Sequence, residues 1–348
     1  MILNAARKRS FQTRLASWFR KEGRDLPWRR IRTPYATWIS EMMLQQTQVK
    51  TMLPYFERWM RQIPTIEALD RTPEDQVLLL WQGLGYYNRA RQLKKAARVL
   101  VEKYGGRIPD DPAAILEIPG IGPYSAGAIL SLAYNRKITA VDGNILRVFS
   151  RLFLVEDPID LPPAKEKIRL LEEALLPDDR PGEFIEALME LGALICAPKN
   201  PACGSCPVQG HCAAFKAGRA EDLPRRSKRK EIRKVEACAV ILERSGRYYL
   251  VRRPLGGIMG GFWEFPEWKG GENLLSKHLG QKTVFNFAAS IKRHYTRFAE
   301  TLRVYRAKSG RAKPYRHDWE SRWVSRSELE RYPLTSAHSK IRKLILDD

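Results

Sequence analysis

A carboxylate stands in an apolar stretch near the N-terminus, where the sequence reads "WISEMMLQQTQV" from residue 38 to 49. On a helix, the neighbours of Glu41 are Trp38, Leu44 and Gln45. A charge among such side chains loses water, which is costly unless the group is paired, hydrogen-bonded or protonated. Glu41 is therefore a candidate for chemistry, and the plain alternative is an exposed glutamate on the polar edge of an amphipathic helix.

A second carboxylate, Asp142, lies in the segment "TAVDGNILRVFSRL". Its place directly before a helical pattern predicts an N-cap, in which the side chain accepts a hydrogen bond from the first turn of the helix. Backbone N–H groups around a carboxylate orient it and keep it ionised. The N-cap role therefore does not exclude a role in chemistry.

Four of the five cysteines cluster with the spacing C-x6-C-x2-C-x5-C, at Cys196, Cys203, Cys206 and Cys212. Four thiolates this close can hold a structural zinc ion or an iron–sulfur cluster. Zinc sites usually pair two C-x2-C units across a longer loop, and only one such unit is present here. The spacing alone leaves both metals open. The fifth, Cys238, lies in an apolar strand pattern and is expected in the core.

A glycine-rich loop, "EIPGIGPYSAGAI" from residue 117 to 129, separates two helical patterns. Gly120 and Gly122 allow a tight turn whose N–H groups, at the start of the next helix, can bind a phosphate oxygen without regard to base sequence. This is a helix-hairpin-helix pattern over about residues 112–130. The alternative is an ordinary glycine-capped connection between helices.

The bulk composition favours a polyanionic partner. The chain of 348 residues carries 61 basic and 39 acidic side chains, a net charge of +22, and such an excess favours DNA, RNA or an anionic surface. No stretch approaches the length of a membrane span. The N-terminus lacks a secretory signal pattern, and we expect a cytoplasmic protein.

The elements that must position these residues form two domains. Residues 1–218 predict an all-α domain, in which Pro34 marks a helix start and Gly105–Gly106 a helix end. A basic run, "RRSKRKEIRK", predicts an exposed linker over 219–234. Period-two patterns with a turn at Ser245–Gly246 predict an α+β domain over 235–348, closed by a helix that starts at a capping box from Ser325 to Glu328.

Together these segments resemble the endonuclease III-like DNA glycosylase superfamily and, within it, the MutY adenine DNA glycosylases. The segments that carry the resemblance are "LPWR", "WISEMMLQQTQV", "LWQGLGYYNRARQL", "IPGIGPYSAGAI", "VDGNILRV" and the four-cysteine loop at 196–212. The resemblance implies a [4Fe–4S] cluster on the four cysteines. In that family the cluster supports the DNA-binding region and takes no part in base chemistry.

The resemblance also implies roles at the reacting sugar. Glu41 matches the general acid that protonates adenine, and Asp142 matches the carboxylate that stabilises an oxocarbenium-like sugar. We expect Glu41 to be protonated in an apolar pocket and Asp142 to be ionised. Tyr124 and Asn144 match residues around the sugar. Relatives with lyase activity carry a lysine where Tyr124 stands, so we expect a monofunctional glycosylase that leaves an abasic site.

Further matches concern DNA and base binding. Extruding a nucleotide leaves a gap in the stack that side chains can fill. The matched residues are Trp28, Arg29 and Leu44 in the base pocket, Gln46 and Tyr86 in the base stack, and Gly120 and Gly122 at the backbone. The alternative for most of them is core packing.

The C-terminal domain resembles the Nudix-like domain of MutY proteins through "RRPLGGIMGGFWEFPEWKGGE". The following segment, "ENLLSKHLGQKTVFNF", lacks the glutamate cluster that holds Mg²⁺ in Nudix hydrolases. We therefore expect a domain that does not hydrolyse nucleotides, and the resemblance implies that it recognises 8-oxoguanine. The family's Phe-Ser-His loop is replaced by Tyr295, Thr296 and Arg297, which leaves the lesion contacts open by residue; an ordinary strand–turn segment is the alternative.

The resulting expectation is a monomeric enzyme that excises adenine opposite 8-oxoguanine or guanine in double-stranded DNA. A thymine or uracil glycosylase for G·T or G·U mismatches also lacks the lysine, but those enzymes generally end after the cluster. A DNA-binding protein without catalysis would require the loss of Glu41 or Asp142. The absent glutamate cluster disfavours a Nudix hydrolase.

Overall fold

The computed structural model describes residues 4–227, 232–256, 259–280, 283–295, 298–308 and 318–347, without the side chains of His294, Tyr295 and Lys308. Its contacts group the chain into two compact units. Residues 1–70 and 95–228 form the first unit, and residues 71–94 and 229–348 form the second.

Helices make up the regular structure of the chain as far as residue 216, as the sequence predicts. They are α1 (Ala5–Glu22), α2 (Pro27–Ile31), α3 (Pro34–Leu44), α4 (Val49–Gln62), α5 (Ile66–Arg71), α6 (Glu74–Trp81), α7 (Asn88–Tyr104), α8 (Pro112–Leu116), α9 (Pro123–Ala128), α10 (Gly143–Leu152), α11 (Pro162–Leu175), α12 (Pro181–Leu194) and α13 (Ala213–Lys216). A π-helical segment, Ile129–Ala133, continues α9, and short 3₁₀ helices span Cys203–Ser205 and Gln209–His211. None of the helices in the described ranges is long and apolar enough to cross a membrane.

Local sequence chemistry sets the ends of several helices. Pro34 lies in the first turn of α3, where Thr33 Oγ1 accepts a hydrogen bond from Ala36 N at 3.2 Å. Gly105 and Gly106 follow α7 with φ of 58° and 74°, a backbone conformation that glycine adopts without a steric penalty. Both predicted helix boundaries are confirmed.

In the core of the first unit, helix α1 packs against helices α10 and α12. Phe11 and Leu15 of α1 are fully buried in a cluster with Ile145 and Phe149 of α10 and Leu188 of α12. The apolar faces of α1, α10 and α12 therefore fix the position of α10, whose N-terminus carries Asp142.

The second unit contains a mixed seven-stranded sheet. Its strands are β1 (Arg233–Arg244), β2 (Arg247–Arg252), β3 (Trp263–Glu264), β4 (Glu267–Lys269), β5 (Asn286–Tyr295), β6 (Phe298–Lys308) and β7 (Ser321–Ser325). The main path of the sheet is β3-β2-β1-β6-β5, while β4 pairs with β1 and β7 pairs with β2. The β1–β6 pair is parallel, and the others are antiparallel.

Two helices cover opposite faces of this sheet. Alternate residues of β1 pack with α15 (Ser336–Leu346) on one face and with α14 (Asn273–Leu279) on the other. Cys238 is buried on the α14 side, as the strand pattern predicts. The capping box at Ser325 and Glu328 is present, but it opens a 3₁₀ helix, Arg326–Arg331.

The basic segment after the cysteine loop, for which an exposed linker over 219–234 is predicted, is exposed at Arg225, Arg226 and Ser227 but is attached to the first unit at two points. Leu223 is buried, and its carbonyl accepts a hydrogen bond from Arg151 Nε at 2.9 Å. Ser227 N donates to Asp160 Oδ1 at 2.9 Å. The described hydrogen bonds therefore attach Leu223 and Ser227 to the first unit, β1 begins at Arg233, and the linker over 219–234 stays a prediction.

The two compact units do not coincide with the domain boundaries predicted from the sequence. Residues 71–94 group with the C-terminal residues, which a linear division into 1–218, 219–234 and 235–348 cannot express. That linear division stays a prediction.

Candidate active site

Glu41 lies in the last turns of α3, a helix in which every residue from Tyr35 to Met43 is buried. Its own side chain is 5% exposed, and its Oε2 accepts a hydrogen bond from the Tyr124 hydroxyl. Burial raises the pKa of Glu41 to about 7 because the charged form loses water, and this outweighs the opposing effect of the Tyr124 hydrogen bond. Nearby Asp142 and Glu186 raise that pKa further, whereas Arg29 lowers it.

Asp142 is the N-cap of α10. One oxygen accepts a hydrogen bond from Ile145 N at 2.7 Å, and the other accepts from Asn144 Nδ2 at 2.8 Å. Burial nevertheless raises the pKa of Asp142 above its ordinary value, because desolvation outweighs these hydrogen bonds. Glu41 and Asp142 are thus neighbouring carboxyl groups with different hydrogen-bond partners. Such a difference allows one carboxyl group to act as an acid while the other is ionised.

The hairpin joins these two groups. Gly120 has φ of 80° in the turn before α9, and Gly122 is the N-cap of that helix. A Cβ on Gly127 would lie 2.1 Å from the carbonyl oxygen of Thr139. Helix α9 can thus approach the segment that leads to Asp142, while Tyr124 on the same helix contacts Glu41. Glycine at position 127 is required by this close approach.

A cleft of about 1410 Å³ contains most of the predicted site residues of the first unit. It is lined by Glu41, Tyr124, Asp142, Asn144, Trp28, Arg29, Leu44 and Gln46. Gln46 is exposed and adopts φ of 59°, an uncommon conformation for a residue with a Cβ. The structure therefore brings the proposed acid, the second carboxylate and the proposed pocket residues to one cavity. Gly120 and Gly122 do not line it.

Two glutamates of α12, Glu186 and Glu190, also line the cleft and were missed in the sequence. Burial would raise the pKa of Glu190, but hydrogen bonds from Arg24 and Arg29 lower it to about 2. At Glu186 burial prevails and raises the pKa in spite of Arg32 and Arg29. Glu186 and Glu190 are four residues apart in an otherwise apolar helix, which places both carboxylates on one face of α12. This spacing was the signal in the sequence that could have identified them.

Tyr86 lies in the loop between α6 and α7 and belongs to the second unit. Its side chain is 60% exposed and its φ is 47°. The ring lies 5.3 Å from the guanidinium carbon of Arg89. Tyr86 is thus an accessible aromatic side chain on a constrained backbone.

All four clustered cysteines line one cavity in the first unit. In the part of the chain that the structure describes, no three of their sulfurs lie within 4.8 Å of one another. A tetrahedral zinc site with Zn–S bonds of about 2.3 Å needs sulfurs about 3.8 Å apart. The four sulfurs therefore do not have the arrangement of a tetrahedral zinc site, and Arg151 Nη1 donates a hydrogen bond to Cys196 Sγ at 3.2 Å.

Arg147 connects the cysteine loop to the second carboxylate. Its Nε donates to the carbonyl of Cys196 at 2.7 Å, and its Nη2 donates to Asn144 Oδ1 at 2.8 Å and to the carbonyl of Gly192 at 2.7 Å. Asn144 in turn donates to Asp142. The orientation of the Asp142 carboxylate therefore depends on a buried guanidinium that also holds the start of the cysteine loop.

The C-terminal residues contain a second group of possible metal ligands, Glu264, Glu267 and His338, all buried. His338 Nδ1 accepts from Phe265 N at 3.2 Å, so its Nε2 carries the proton and donates to Glu267 at 3.0 Å. Glu264 accepts from Arg253. These partners already occupy the ligand atoms, so the group fits an internal hydrogen-bond network better than a cation site.

The predicted lesion loop is described only in part. Tyr295 ends β5, while Thr296 and Arg297 lie outside the described residues. Helix α14 follows Glu272 with the sequence "NLLSKHL" and carries no glutamate.

The hydrogen bond between Tyr124 and Glu41 makes a direct prediction. Because this bond lowers the pKa of Glu41, the substitution Tyr124→Phe should raise that pKa above about 7. Titration of ¹³C-labelled glutamate side chains by NMR measures the shift. The matched control is Tyr104→Phe, which removes a phenol elsewhere in the first unit. An unchanged or lowered Glu41 pKa in Tyr124→Phe would contradict this geometry.

Both parts of the chain are similar to known protein families. Residues 39–176 match the HhH-GPD superfamily base excision DNA repair protein model, and residues 237–344 match the NUDIX domain model. Among solved structures, a thermostable thymine-DNA glycosylase is 31% identical with a TM-score of 0.56, covering 61% of this chain and 98% of that one. A non-covalent endonuclease III–DNA complex, at 22% identity and a TM-score of 0.53, shares the fold over 62% of this chain and 99% of that one.

Relatives of known activity cover both parts together. The adenine DNA glycosylase of Homo sapiens is 31% identical over 98% of this chain and 75% of the relative. That of Buchnera aphidicola subsp. Acyrthosiphon pisum is 35% identical over 84% of each. The chain spans 60% of the length of the Mus musculus relative, at 35% identity over 74% of this chain. The chain therefore belongs to the adenine DNA glycosylase family of HhH-GPD base-excision DNA repair enzymes, with a NUDIX domain at its C-terminal end.

Proposed function

We propose that this protein excises adenine opposite 8-oxoguanine, and more slowly opposite guanine, in double-stranded DNA. The observation that carries the proposal is a buried carboxyl group, Glu41, with a pKa near neutrality beside a second carboxylate, Asp142. The activity named for the relatives and the net charge of +22 support it.

The two carboxyl groups divide the chemistry. Adenine is a poor leaving group, and Glu41 protonates it at N7 as the glycosidic bond lengthens. The sugar then develops oxocarbenium character, which ionised Asp142 stabilises electrostatically or covalently. Water completes the hydrolysis. Tyr124 holds Glu41, and Asn144 holds Asp142, through the hydrogen bonds described above.

Reaching the bond requires extrusion of the nucleotide from the duplex. Gln46 and Tyr86 enter the stack, and Trp28, Leu44 and Arg29 form the base pocket. Glu186 and Glu190, which flank Arg29, add hydrogen-bond acceptors to that pocket. The N–H groups around Gly120 and Gly122 hold a DNA phosphate.

Position 124 determines the fate of the abasic site. Schiff-base chemistry requires an amine, and a tyrosine stands where relatives with lyase activity have lysine. Burial raises the pKa of Tyr124 well above its ordinary value, so it remains a hydroxyl donor. The enzyme therefore leaves an intact strand.

The cysteine cavity fits an iron–sulfur cluster. Cys196, Cys203, Cys206 and Cys212 would hold a [4Fe–4S] cluster, and the absence of a tetrahedral-zinc arrangement among these four described sulfurs supports this choice over zinc. When bound, the cluster gives the loop a rigid framework and supplies no base chemistry.

The C-terminal domain, residues 235–348, recognises the opposite base, with Tyr295, Thr296 and Arg297 as the proposed loop. A second candidate function is thymine excision from G·T mismatches, because a thymine-DNA glycosylase shares the fold of the first part at 31% identity. We expect a cytoplasmic monomer in either case.

A substrate panel tests the function. Duplexes with 8-oxoG·A, G·A, G·T and 8-oxoG·C pairs are incubated with enzyme, and abasic sites are counted by alkaline strand scission. We expect fastest cleavage with 8-oxoG·A, then G·A. Without alkali, strands should stay intact, and borohydride should trap no adduct. Faster reaction at G·T would favour the thymine glycosylase.

The acid role of Glu41 predicts a pH profile and a mutant phenotype. The proton is present below the pKa of about 7 and lost above it, so the single-turnover rate should fall about tenfold per pH unit on the alkaline side. Glu41→Gln should lower the rate at least about 100-fold and spare DNA binding, as measured by fluorescence anisotropy. The control is Glu57→Gln, an exposed glutamate on α4. Near-normal excision by Glu41→Gln would refute the assignment.

The cluster makes a separate prediction. Anaerobically purified protein should be brown and contain about four iron atoms per chain, with little zinc by elemental analysis. Cys206→Ser should lower the iron content. A colourless, iron-free protein with full adenine excision would contradict the cluster, and one zinc per chain would favour the alternative metal.

A further inference from the structure

The segment that carries Tyr86 is built into the same compact unit as the C-terminal sheet. Residues 71–94 comprise α6, the Tyr86 loop and the beginning of α7, and they group with residues 229–348. Gly261, which has φ of 81°, lies against Glu74 and Leu78 of α6, and Arg252 Nη2 donates to Asp75 Oδ1 at 2.6 Å. The support of this loop therefore involves residues more than 150 positions further along the chain.

The Tyr86 backbone needs support because it is in an unfavourable conformation. Gly85 and Tyr86 have φ of 71° and 47°, and only glycine adopts this region freely. The buried guanidinium of Arg89 lies 5.3 Å from the ring centroids of both Trp81 and Tyr86, and it donates to Gly85 O at 3.2 Å. Such a conformation persists when surrounding contacts determine it.

The C-terminal residues contact the chain on both sides of Tyr86, at Gln82 before it and at Tyr87 after it. Tyr87, directly after Tyr86, points inward: its ring lies 4.2 Å from that of Phe262, and its hydroxyl is 3.0 Å from Ser336 Oγ. Tyr87 and Phe262 are both buried. Before the loop, Gln82 Nε2 donates to Ser339 Oγ at 2.5 Å.

These contacts fix the direction of the exposed ring. Tyr87 is buried whereas its neighbour Tyr86 is 60% exposed, so the contacts that anchor Tyr87 in the C-terminal core leave Tyr86 facing solvent. A further hydrogen bond, from Arg91 Nη1 to the carbonyl of Leu255 at 2.8 Å, holds the first turn of α7 to the same unit.

We infer that the C-terminal domain positions Tyr86 for insertion into the base stack, through Tyr87 and Gln82, in addition to reading the opposite base. This inference rests on the proposed function for the identity of the substrate. Its distinguishing consequence is that loss of the Tyr87 contacts impairs nucleotide extrusion to the same extent opposite 8-oxoguanine and opposite guanine. A domain that only reads the lesion would change the ratio of the two.

The test removes the hydrogen bond between the Tyr87 hydroxyl and Ser336 Oγ by changing one partner at a time, with Tyr87→Phe and Ser336→Ala in the full chain. Extrusion is followed by the fluorescence of 2-aminopurine placed next to the target nucleotide in 8-oxoG·A and G·A duplexes. A lost hydrogen bond of typical strength should slow the fluorescence change and single-turnover excision about threefold to tenfold on both duplexes. The double variant should be no slower than either single variant, because both remove one interaction.

The matched control is Tyr305→Phe, which removes a phenol that donates to Glu272 Oε2 at 3.0 Å elsewhere in the same domain. It should leave extrusion unchanged. Phe262→Leu, which removes the ring contact and keeps an apolar side chain, is the second variant if Tyr87→Phe does not fold. Thermal unfolding of each variant checks the fold.

The outcomes separate this inference from the proposed function. The inference is overturned if Tyr87→Phe, or Phe262→Leu in its place, extrudes the nucleotide at the parent rate, or if only the ratio between the two duplexes changes. If the parent excises no adenine, the proposed function fails, while the fluorescence of the parent and its variants still reports on Tyr86 insertion.

Discussion

The hydrogen bonds of Arg147 connect the Asp142–Asn144 pair to the cysteine loop. One guanidinium binds Asn144 Oδ1 and the carbonyls of Gly192 and Cys196. A buried cation tolerates no unpaired donors, since a lost partner costs the full desolvation of the group. The geometry of α10, the end of α12 and the first cysteine are therefore interdependent. The Asp142 carboxylate receives its orientation from Asn144, at the end of this network.

This arrangement explains how two nearby carboxyl groups can take different protonation states. Burial raises the pKa of both, but Asp142 accepts hydrogen bonds from Ile145 N and Asn144, whereas the described partner of Glu41 is one phenol. Hydrogen bonds to a carboxylate favour its charged form. Once Asp142 is ionised, its charge opposes ionisation of Glu41. By favouring ionised Asp142, the hydrogen bond from Asn144 therefore helps to keep Glu41 protonated.

Local sequence chemistry was sufficient to predict part of this site. Asp142 before "GNILRV" is an N-cap on any helix, and Gly120 marks a turn with positive φ, so short-range rules identify both. The sequence did not reveal Glu186 or the partners of Arg147. Their roles depend on which face of α12 meets α2 and α10, and that is decided by packing between segments more than 40 residues apart. Helical periodicity specifies a face, but not the element that covers it.

The same limit applies to the boundary between the two units. The composition change after residue 218 suggests a division at one point of the chain, whereas contacts place residues 71–94 with the C-terminal sheet. Nothing in the α6 sequence distinguishes it from its neighbours, because a helix has the same amphipathic pattern whether its apolar face is covered by nearby or by distant segments. What separates α6 is a set of specific polar contacts, such as Gln82 with Ser339 and Asp75 with Arg252. Polar contacts between distant residues become visible only in three dimensions. In this protein they assign the Tyr86 loop to the unit that also contains strands β5 and β6.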